Sequence, residues 1–349
     1  MNGRIIGEDL DSIIKCRLPW EKLAGKTVLI SGVGGFIASY MAMALLRLND
    51  TWTEKSIKVV GVARDGSKAM SRFSAFAGRD DLRILVQDIR DPVETGGKAD
   101  YIIHAASQAS PRYYGADPVG TLGANIFGTS NLLESARRNA AEAFLFFSSS
   151  EVYGRTAESG IPVKEDAYGY LDPLDIRSCY AESKRMGENM CISWSRQYGV
   201  PVKIVRPFHT YGPGLKLDDG RVFADFVSDV VHGRDLAVKG DGKAKRAFCY
   251  LSDAVAGFFT VLLKGESGEA YNVGNDRSEI SIMGLAETLA GLFPEKRLRV
   301  IKNAETEDAG YIRSKVERSC PDIGKARSLG WEPVIGIEEG FLRTIRSYL

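Results

Sequence analysis

Tyr180 and Lys184 stand four residues apart in "YAESK" (180–184), which places both side chains on one face of a helix. An ammonium beside a phenol lowers the phenol's pKa from its usual value of about 10, the direction a proton acceptor requires. Ser149 lies 31 residues earlier, in "SSSEVYG" (148–154), where a hydroxyl can hold the same substrate oxygen. Ser150 and Glu151 follow, adding a second hydroxyl and a carboxylate. A Y-x-x-x-K pair alone is usually surface decoration. It gains meaning when the rest of the chain supplies something to accept a hydride.

"SGVGGFIAS" (31–39) supplies that context, because it sits between an apolar strand and a helical stretch. Gly32 permits the tight turn, and Gly35 lets the backbone approach a pyrophosphate resting on the helix N-terminus. Ala38 replaces the third glycine usual in such turns, and Phe36 and Ile37 open the helix against the same ligand. The spacing predicts a bound dinucleotide. At the end of the second strand, "VARD" (62–65) gives Arg64 and Asp65 where a ribose-binding acid is usual. Arg64 either pairs with a 2′-phosphate, favouring NADP, or is a solvated loop residue; Asp65 can still reach a hydroxyl. Asp88 and Ile89 of "QDIRD" (87–91) are placed to flank adenine. Ala105, Ala106 and Ser107 of "HAAS" (104–107) end the fourth strand beside the pyrophosphate and ribose. The expected cofactor is NAD or NADP, bound tightly and regenerated in each turnover. With its cationic nicotinamide near Lys184, Tyr180 is expected to ionise near neutrality and deprotonate an alcohol as hydride leaves the same carbon.

These residues need a scaffold, and the hydrophobic pattern provides one. Apolar strand-like runs at 26–31, 57–63, 82–88, 99–106, 143–149 and 202–208 alternate with helical patterns at 36–48, 67–77, about 119–139 and about 179–198. Continuous apolar strands separated by helices predict an α/β doubly wound parallel Rossmann-type sheet. Beyond residue 210, glycine-rich turns separate shorter elements, which reads as a smaller C-terminal α/β lobe for substrate. The expected organisation is a leader of one or two amphipathic turns (1–25), a dinucleotide-binding domain (26–205) and a partly interleaved substrate lobe (206–349).

Taken with "RPFHTYGPG" (206–214) and "KRAFCYLSDAVAG" (245–257), these motifs resemble the extended short-chain dehydrogenase/reductases that act on nucleotide sugars. The resemblance runs from about residue 26 to the C-terminus. "ASPRYYGADPVGTLGANIFGTSNLL" (109–133), "IRSCYAESKRMGE" (176–188), "DDGRVFADF" (218–226) and "PDIGKA" (321–326) are most similar to UDP-glucuronate decarboxylases within it. The resemblance implies oxidation of the sugar at C4 by Ser149, Tyr180 and Lys184, with Ser150 and Glu151 deciding the outcome. It adds Asn125, Tyr180 and Lys184 to the cofactor contacts. It implies Pro111, Tyr114, His209, Arg221 and Arg246 as substrate contacts, with Arg221 at the nucleotide and Arg246 at the diphosphate or the sugar C6 end. It also implies a homodimer formed through the helices near 119–139 and 179–198.

The Ser-Glu pair argues against simple 4-epimerisation, where an apolar residue is usual at position 151. Decarboxylation needs no acid at position 150, whereas many 4,6-dehydratases carry an aspartate there; dehydratases of the GDP-mannose type share Ser-Glu. A decarboxylating lyase leads, followed by a 4,6-dehydratase, then an epimerase or a 4-ketosugar reductase. Four departures from the decarboxylase pattern lie on the substrate side: His209 for asparagine, Lys239 for an aromatic, Gly214 for arginine, and the spacing of "SKVERSC" (314–320). His209 is therefore either a ligand contact or a packed polar residue, and Tyr113 and Tyr114 are either sugar contacts or core aromatics.

Composition excludes some classes and leaves others. The 349 residues are 44% hydrophobic and 26% charged with net charge +1, ordinary for a globular chain and no recommendation for nucleic acid or an anionic membrane. Five scattered cysteines without C-x-x-C fit a reducing cytosol, and no cluster has metal-ligand spacing. No apolar run approaches 18 residues and the N-terminus does not read as a signal peptide, so a cytoplasmic location is expected.

Overall fold

A computed structural model describes residues 3–52, 55–303 and 316–349. The N-terminal segment forms helix α1 (Gly3–Ile14) and a 3-10 turn at Trp20–Leu23, a longer and more packed leader than the expected turn or two. Asp9, Leu10 and Ile13 on one side of α1 are buried. Strands and helices then alternate as predicted, with the short helix α4 added: β1 (Thr27–Ser31), α2 (Phe36–Asn49), β2 (Lys58–Ala63), α3 (Gly66–Arg72), β3 (Leu82–Val86), β4 (Tyr101–His104), α4 (Pro111–Ala116), α5 (Pro118–Arg138), β5 (Ala143–Phe147), α6 (Ser178–Tyr198) and β6 (Val202–Pro207). Helix α3 is shorter than the 67–77 pattern suggested; it gives way at Phe73 to a 3-10 turn at Ser74–Phe76, with Phe73 fully buried.

The remaining elements are β7 (His209–Tyr211), α7 (Val222–His232), β8 (Leu236–Lys239), β9 (Lys245–Tyr250), α8 (Leu251–Lys264), β10 (Glu269–Val273), β11 (Glu279–Ser281), α9 (Ile282–Gly291), β12 (Val300–Asn303), β13 (Arg318–Ser319), α10 (Gly324–Ser328) and α11 (Ile337–Arg346). Seven strands form one parallel sheet in the order β10-β6-β5-β4-β1-β2-β3. The fold class is the expected doubly wound sheet, with a C-terminal strand, β10, returning to its edge.

Period-two alternation explains both faces. Val28, Ile30, Ile103, Leu145 and Phe147 pack with α2 and α8, whereas Leu29, Ile102, Phe144 and Phe146 pack with α5 and α6. The smaller lobe has its own core of Phe223, Phe226, Phe248, Leu285 and Phe341, built on α7, α9, α11 and the short strands around β9. Among the described residues no helix is long and apolar enough to cross a membrane, and no group of His, Cys, Asp or Glu could hold a metal ion.

Candidate active site

Strand β5 delivers its C-terminal end to the site and hands over to Ser148, Ser149 and Ser150. Ser149 Oγ accepts from the Glu151 amide (3.2 Å), capping a 3-10 turn over Ser150–Tyr153. The same hydroxyl hydrogen-bonds Tyr180 across to α6. Tyr180 is 6% exposed, and burial pushes its phenol up to about 12, with the Ser149 bond opposing the shift. Lys184, one helical turn on, is 2% exposed and donates from Nζ to the Phe147 carbonyl at 2.8 Å. Its Nζ lies 5.8 Å from the Tyr180 ring centroid, and burial lowers its own pKa to about 7. The protein alone thus keeps the phenol protonated. The lowered phenol pKa expected from the sequence has to come from charge added at the site.

Around Tyr180 the chain builds a layered wall. Tyr114 stacks on it (5.1 Å between centroids, 15° between planes) and donates its hydroxyl to the Ala109 carbonyl at 3.0 Å. Tyr114 is itself buried, so its ring forms the backing of Tyr180. Arg177 lies over the far ring, 5.5 Å from the Tyr114 centroid, and its Nη2 donates to Glu151 Oε1 at 2.9 Å. Glu151 is near enough to raise the Tyr180 pKa by its charge, and Arg221 near enough to lower it. Pro111 opens α4 after Ser110, whose hydroxyl donates to the Asp219 carbonyl at 2.5 Å and so joins this wall to the smaller lobe.

From that lobe come Arg221, His209 and Arg246. Arg221 precedes α7, pairs with Asp219 and lies 4.9 Å over Phe223. His209 packs edge-on against Phe248, and burial keeps its pKa well below the usual value, reinforced by the charges of Arg246 and Arg221. The ring is neutral, and its buried Nδ1 has no hydrogen-bond partner. Arg246 Nη1 and Nη2 donate to the carbonyls of Glu317 (3.1 Å) and Val316 (2.7 Å). Tyr180, His209, Arg221 and Arg246 therefore belong to one electrostatic neighbourhood, although they are spread over 67 positions of sequence. Of the departures noted in the sequence, Ser314 and Lys315 lie outside the described residues.

The residues expected at a dinucleotide fit one. Gly32 has φ +71, and a Cβ there would lie 2.7 Å from Ala106 Cα, so the glycine-rich turn and the end of β4 close directly on each other. Gly35 caps α2 with extended backbone, leaving the first amides of that helix for an anion. The buried Oγ of Ser107 and Oδ1 of Asn125 lack partners, as expected of atoms that a ribose or carboxamide would satisfy. Asp65 is exposed and caps α3, its Oδ1 accepting from the Lys68 amide at 2.9 Å. Arg64 beside it is exposed. Asp88 pairs with Arg90 at 2.9 Å, and Ile89 is buried next to it. The amides of Ala105 and Ala106 both donate to Ser31 Oγ at 3.1 Å. Phe36 and Ile37 are partly buried at the start of α2.

Residues 28–274 match the NAD dependent epimerase/dehydratase family. The chain belongs to that family. It is 35% identical over 316 residues to UDP-glucuronic acid decarboxylase 6 of Arabidopsis thaliana, covering 90% of this chain and 86% of that one. It is 34% identical to UDP-glucuronic acid decarboxylase 1 of Xenopus tropicalis, covering 93% and 72% respectively. Among solved structures, UDP-glucuronic acid 4-epimerase of Bacillus cereus with UDP-glucuronic acid and NAD superposes with TM-score 0.78 at 24% identity, over 92% of this chain and 98% of that one. That likeness shows the fold.

For an epimerase/dehydratase family member, two features escaped the sequence reading. Arg177 sits inside a quoted motif, "IRSCYAESK", but nothing local shows that it reaches Glu151. The Tyr114–Tyr180 stack joins residues 66 positions apart and has no periodic signal. Lys184 carries a stability consequence. Its fall from 10.5 to about 7 corresponds to ~5 kcal/mol against the charged form, while losing its bond to Phe147 costs about 1–3 kcal/mol. The depressed pKa means the fold disfavours this group most below about pH 7, with the penalty fading as pH rises toward 10.5. Lys184→Met is accordingly expected to stop turnover yet stabilise the fold at pH 7 by about 2 kcal/mol. Denaturant melts at pH 7 and pH 10 check this; an unchanged or lower stability at pH 7 contradicts it.

Proposed function

We propose that the protein is a nucleotide-sugar lyase of this family, acting on a nucleotide-linked uronic acid by decarboxylation in the manner of the UDP-glucuronic acid decarboxylases it is similar to. The observation that carries the reading is the Glu151–Arg177 pair beside Tyr180 and Ser149. The arginine bound to the Glu151 carboxylate at 2.9 Å fixes its position and makes it an orienting group. Ser150, at the position where many dehydratases carry an acid for a departing hydroxyl, is a poor proton donor. Arg221 and Arg246, with neutral His209 between their fields, suit the negative diphosphate and a C6 carboxylate.

The chemistry divides between the chain and its dinucleotide. When bound, the dinucleotide supplies a reversible hydride acceptor and a positive ring. Ser149 positions the C4 hydroxyl, and Tyr180 takes its proton once charge at Lys184 and at the ring favours the phenolate. The resulting C4 ketone makes the C6 carboxylate a β-keto acid, which loses carbon dioxide without a leaving hydroxyl. C5 then takes up a proton from solvent in place of the lost carboxylate and Tyr180 gives its proton back to the C4 oxygen, so that a dinucleotide returning its hydride to C4 would leave the cycle unchanged. Exposed Arg64 leaves NADP open beside the NAD carried by the Bacillus cereus neighbour.

A 4,6-dehydratase is the second reading, favoured by the presence of a carboxylate at 151; an epimerase or a 4-ketosugar reductase stands behind it. Purified protein given a panel of UDP-, dTDP-, GDP- and CDP-sugars without added coenzyme distinguishes them by mass. The lyase reading expects repeated turnover with loss of carbon dioxide, about 44 Da, from a uronic acid. Loss of water alone, no mass change, or a stop without added reduced coenzyme contradicts it.

We also propose a homodimer. Val119, Leu122 and Phe127 of α5 and Met186 of α6 expose apolar surface on two helices packed against each other. A monomeric mass at micromolar concentration in sedimentation contradicts it.

A further inference from the structure

Behind the cofactor cradle runs a buried polar chain that none of the steps above uses. Ser31, at the end of β1, and His104, at the end of β4, are 0% and 1% exposed and meet at 2.8 Å between Oγ and Nδ1. A serine hydroxyl has one proton and two lone pairs. Both lone pairs of Ser31 are taken by the amides of Ala105 and Ala106, so its proton must go to His104 Nδ1. The neutral imidazole then carries its own proton on Nε2, which faces Thr129 Oγ1 at 3.1 Å. Thr129 donates in turn to the main-chain carbonyl of Asn125, one turn back in α5, at 2.5 Å. Asn125 Nδ2 donates to Ser183 Oγ (2.9 Å), and Ser183 donates to the Tyr180 carbonyl (2.8 Å).

Every donor in this chain has a single acceptor, so its direction is fixed. One end holds the loop at 105–107 against Gly32; the other holds the backbone of the proton-accepting tyrosine. In the middle sits Asn125, whose Oδ1 is left over.

We propose that His104 is a positioning residue that locks the cofactor loop and the Tyr180 helix into one register through its Nε2–H tautomer. It touches neither substrate nor reacting atoms. Its service requires that it stay neutral. Burial lowers its pKa to about 3, with the nearby Lys184 charge adding to the effect. A proton on Nδ1 would meet a serine whose acceptors are already full, so protonation breaks the chain at its first link. The facing groups are Ser31 from β1, Thr129 from α5, Phe146 from β5 (5.8 Å between ring centroids) and Lys184 from α6; none is an acid.

The proposal rests on the reading of Tyr180 as the proton acceptor only for its catalytic half; the cofactor half stands alone. The chain has three histidines, at 104, 209 and 232, so long-range 1H–15N spectra of the whole protein resolve each ring. His104 is expected as the Nε2–H tautomer with no titration between pH 5 and 8. The Nδ1–H tautomer, or titration in that range, overturns the proposal.

Two variants cut the chain on opposite sides. Ser31→Ala frees the loop and is expected to weaken dinucleotide binding by ~10-fold, the loss of about one hydrogen bond; Ser31→Thr, which keeps the hydroxyl, is expected to restore it. Thr129→Val removes the hydroxyl that ties His104 to α5, the helix from which Asn125 reaches α6, and is expected to lower kcat by ~10-fold with dinucleotide affinity unchanged. Equal binding by wild type and Ser31→Ala, or a Thr129→Val loss confined to melting temperature, overturns the coupling. Dinucleotide titration needs no substrate, so its result stands whatever reaction the enzyme performs.

Discussion

Tyr180→Phe is expected to lower kcat by roughly 10²–10⁴, the contribution of a positioned proton acceptor, while dinucleotide affinity stays within about threefold. The ring is retained, so its stack on Tyr114 at 5.1 Å and the buried packing around it survive. What disappears is the hydroxyl that bonds Ser149 and would accept the sugar proton. The effect should fall on kcat, because the hydroxyl matters more to the transition state than to the bound substrate. Ser149→Ala is the milder relative, since it removes a supporting donor and leaves the phenol. Steady-state rates with fluorescence titration of dinucleotide separate the two quantities. Equal loss in binding and turnover would mean that Tyr180 holds the ligand and does no chemistry.

The second large effect lies in the leader. Asp9 is 1% exposed and accepts from Tyr250 (2.8 Å), Arg343 (2.7 Å) and Tyr40 (3.2 Å). One carboxylate thus ties α1 to α2, to the β9–α8 junction and to α11. Asp9→Ala leaves a largely buried guanidinium and two phenols without their acceptor, which costs about 3–5 kcal/mol for a broken buried pair. Arg343 keeps a contact with Glu8 at 3.2 Å and is 23% exposed, so the lower end applies. The melting temperature is expected to drop by roughly 4 °C. Asp9→Asn should cost less, because burial already disfavours the charge by raising the Asp9 pKa. Calorimetry checks both variants. A shift below about 2 °C for Asp9→Ala would show that the leader is not part of the cooperative fold.

The contrast between these two sites explains what could be read from the chain. Tyr180 and Lys184 are legible because helical spacing alone puts them on one face, and Ser149 because it ends an apolar run. The glycine-rich turn is legible because its function needs particular backbone angles, as Gly32 shows with φ +71. The parallel sheet follows from apolar strands alternating with helices. Asp9 gave no sign, because its partners are 31, 241 and 334 positions away and a lone aspartate in an amphipathic segment looks solvated. The Arg177–Glu151 pair and the Ser31–His104 contact are hidden for the same reason; each joins ends of different elements. The truncated α3 shows the limit of periodicity, since burial of Phe73 outweighed a helical pattern that ran on past it.

Tyr180 is expected to become a base only when charge arrives beside it. Ultraviolet difference spectroscopy near the phenolate band, wild type against Tyr180→Phe, measures that ionisation directly. Without dinucleotide the tyrosine should stay protonated until about pH 12. With oxidised dinucleotide bound it should titrate several units lower, near neutrality, and the reduced dinucleotide, whose ring is uncharged, should produce little of the change. A phenol that stays protonated beyond pH 10 in the saturated complex would contradict the central claim.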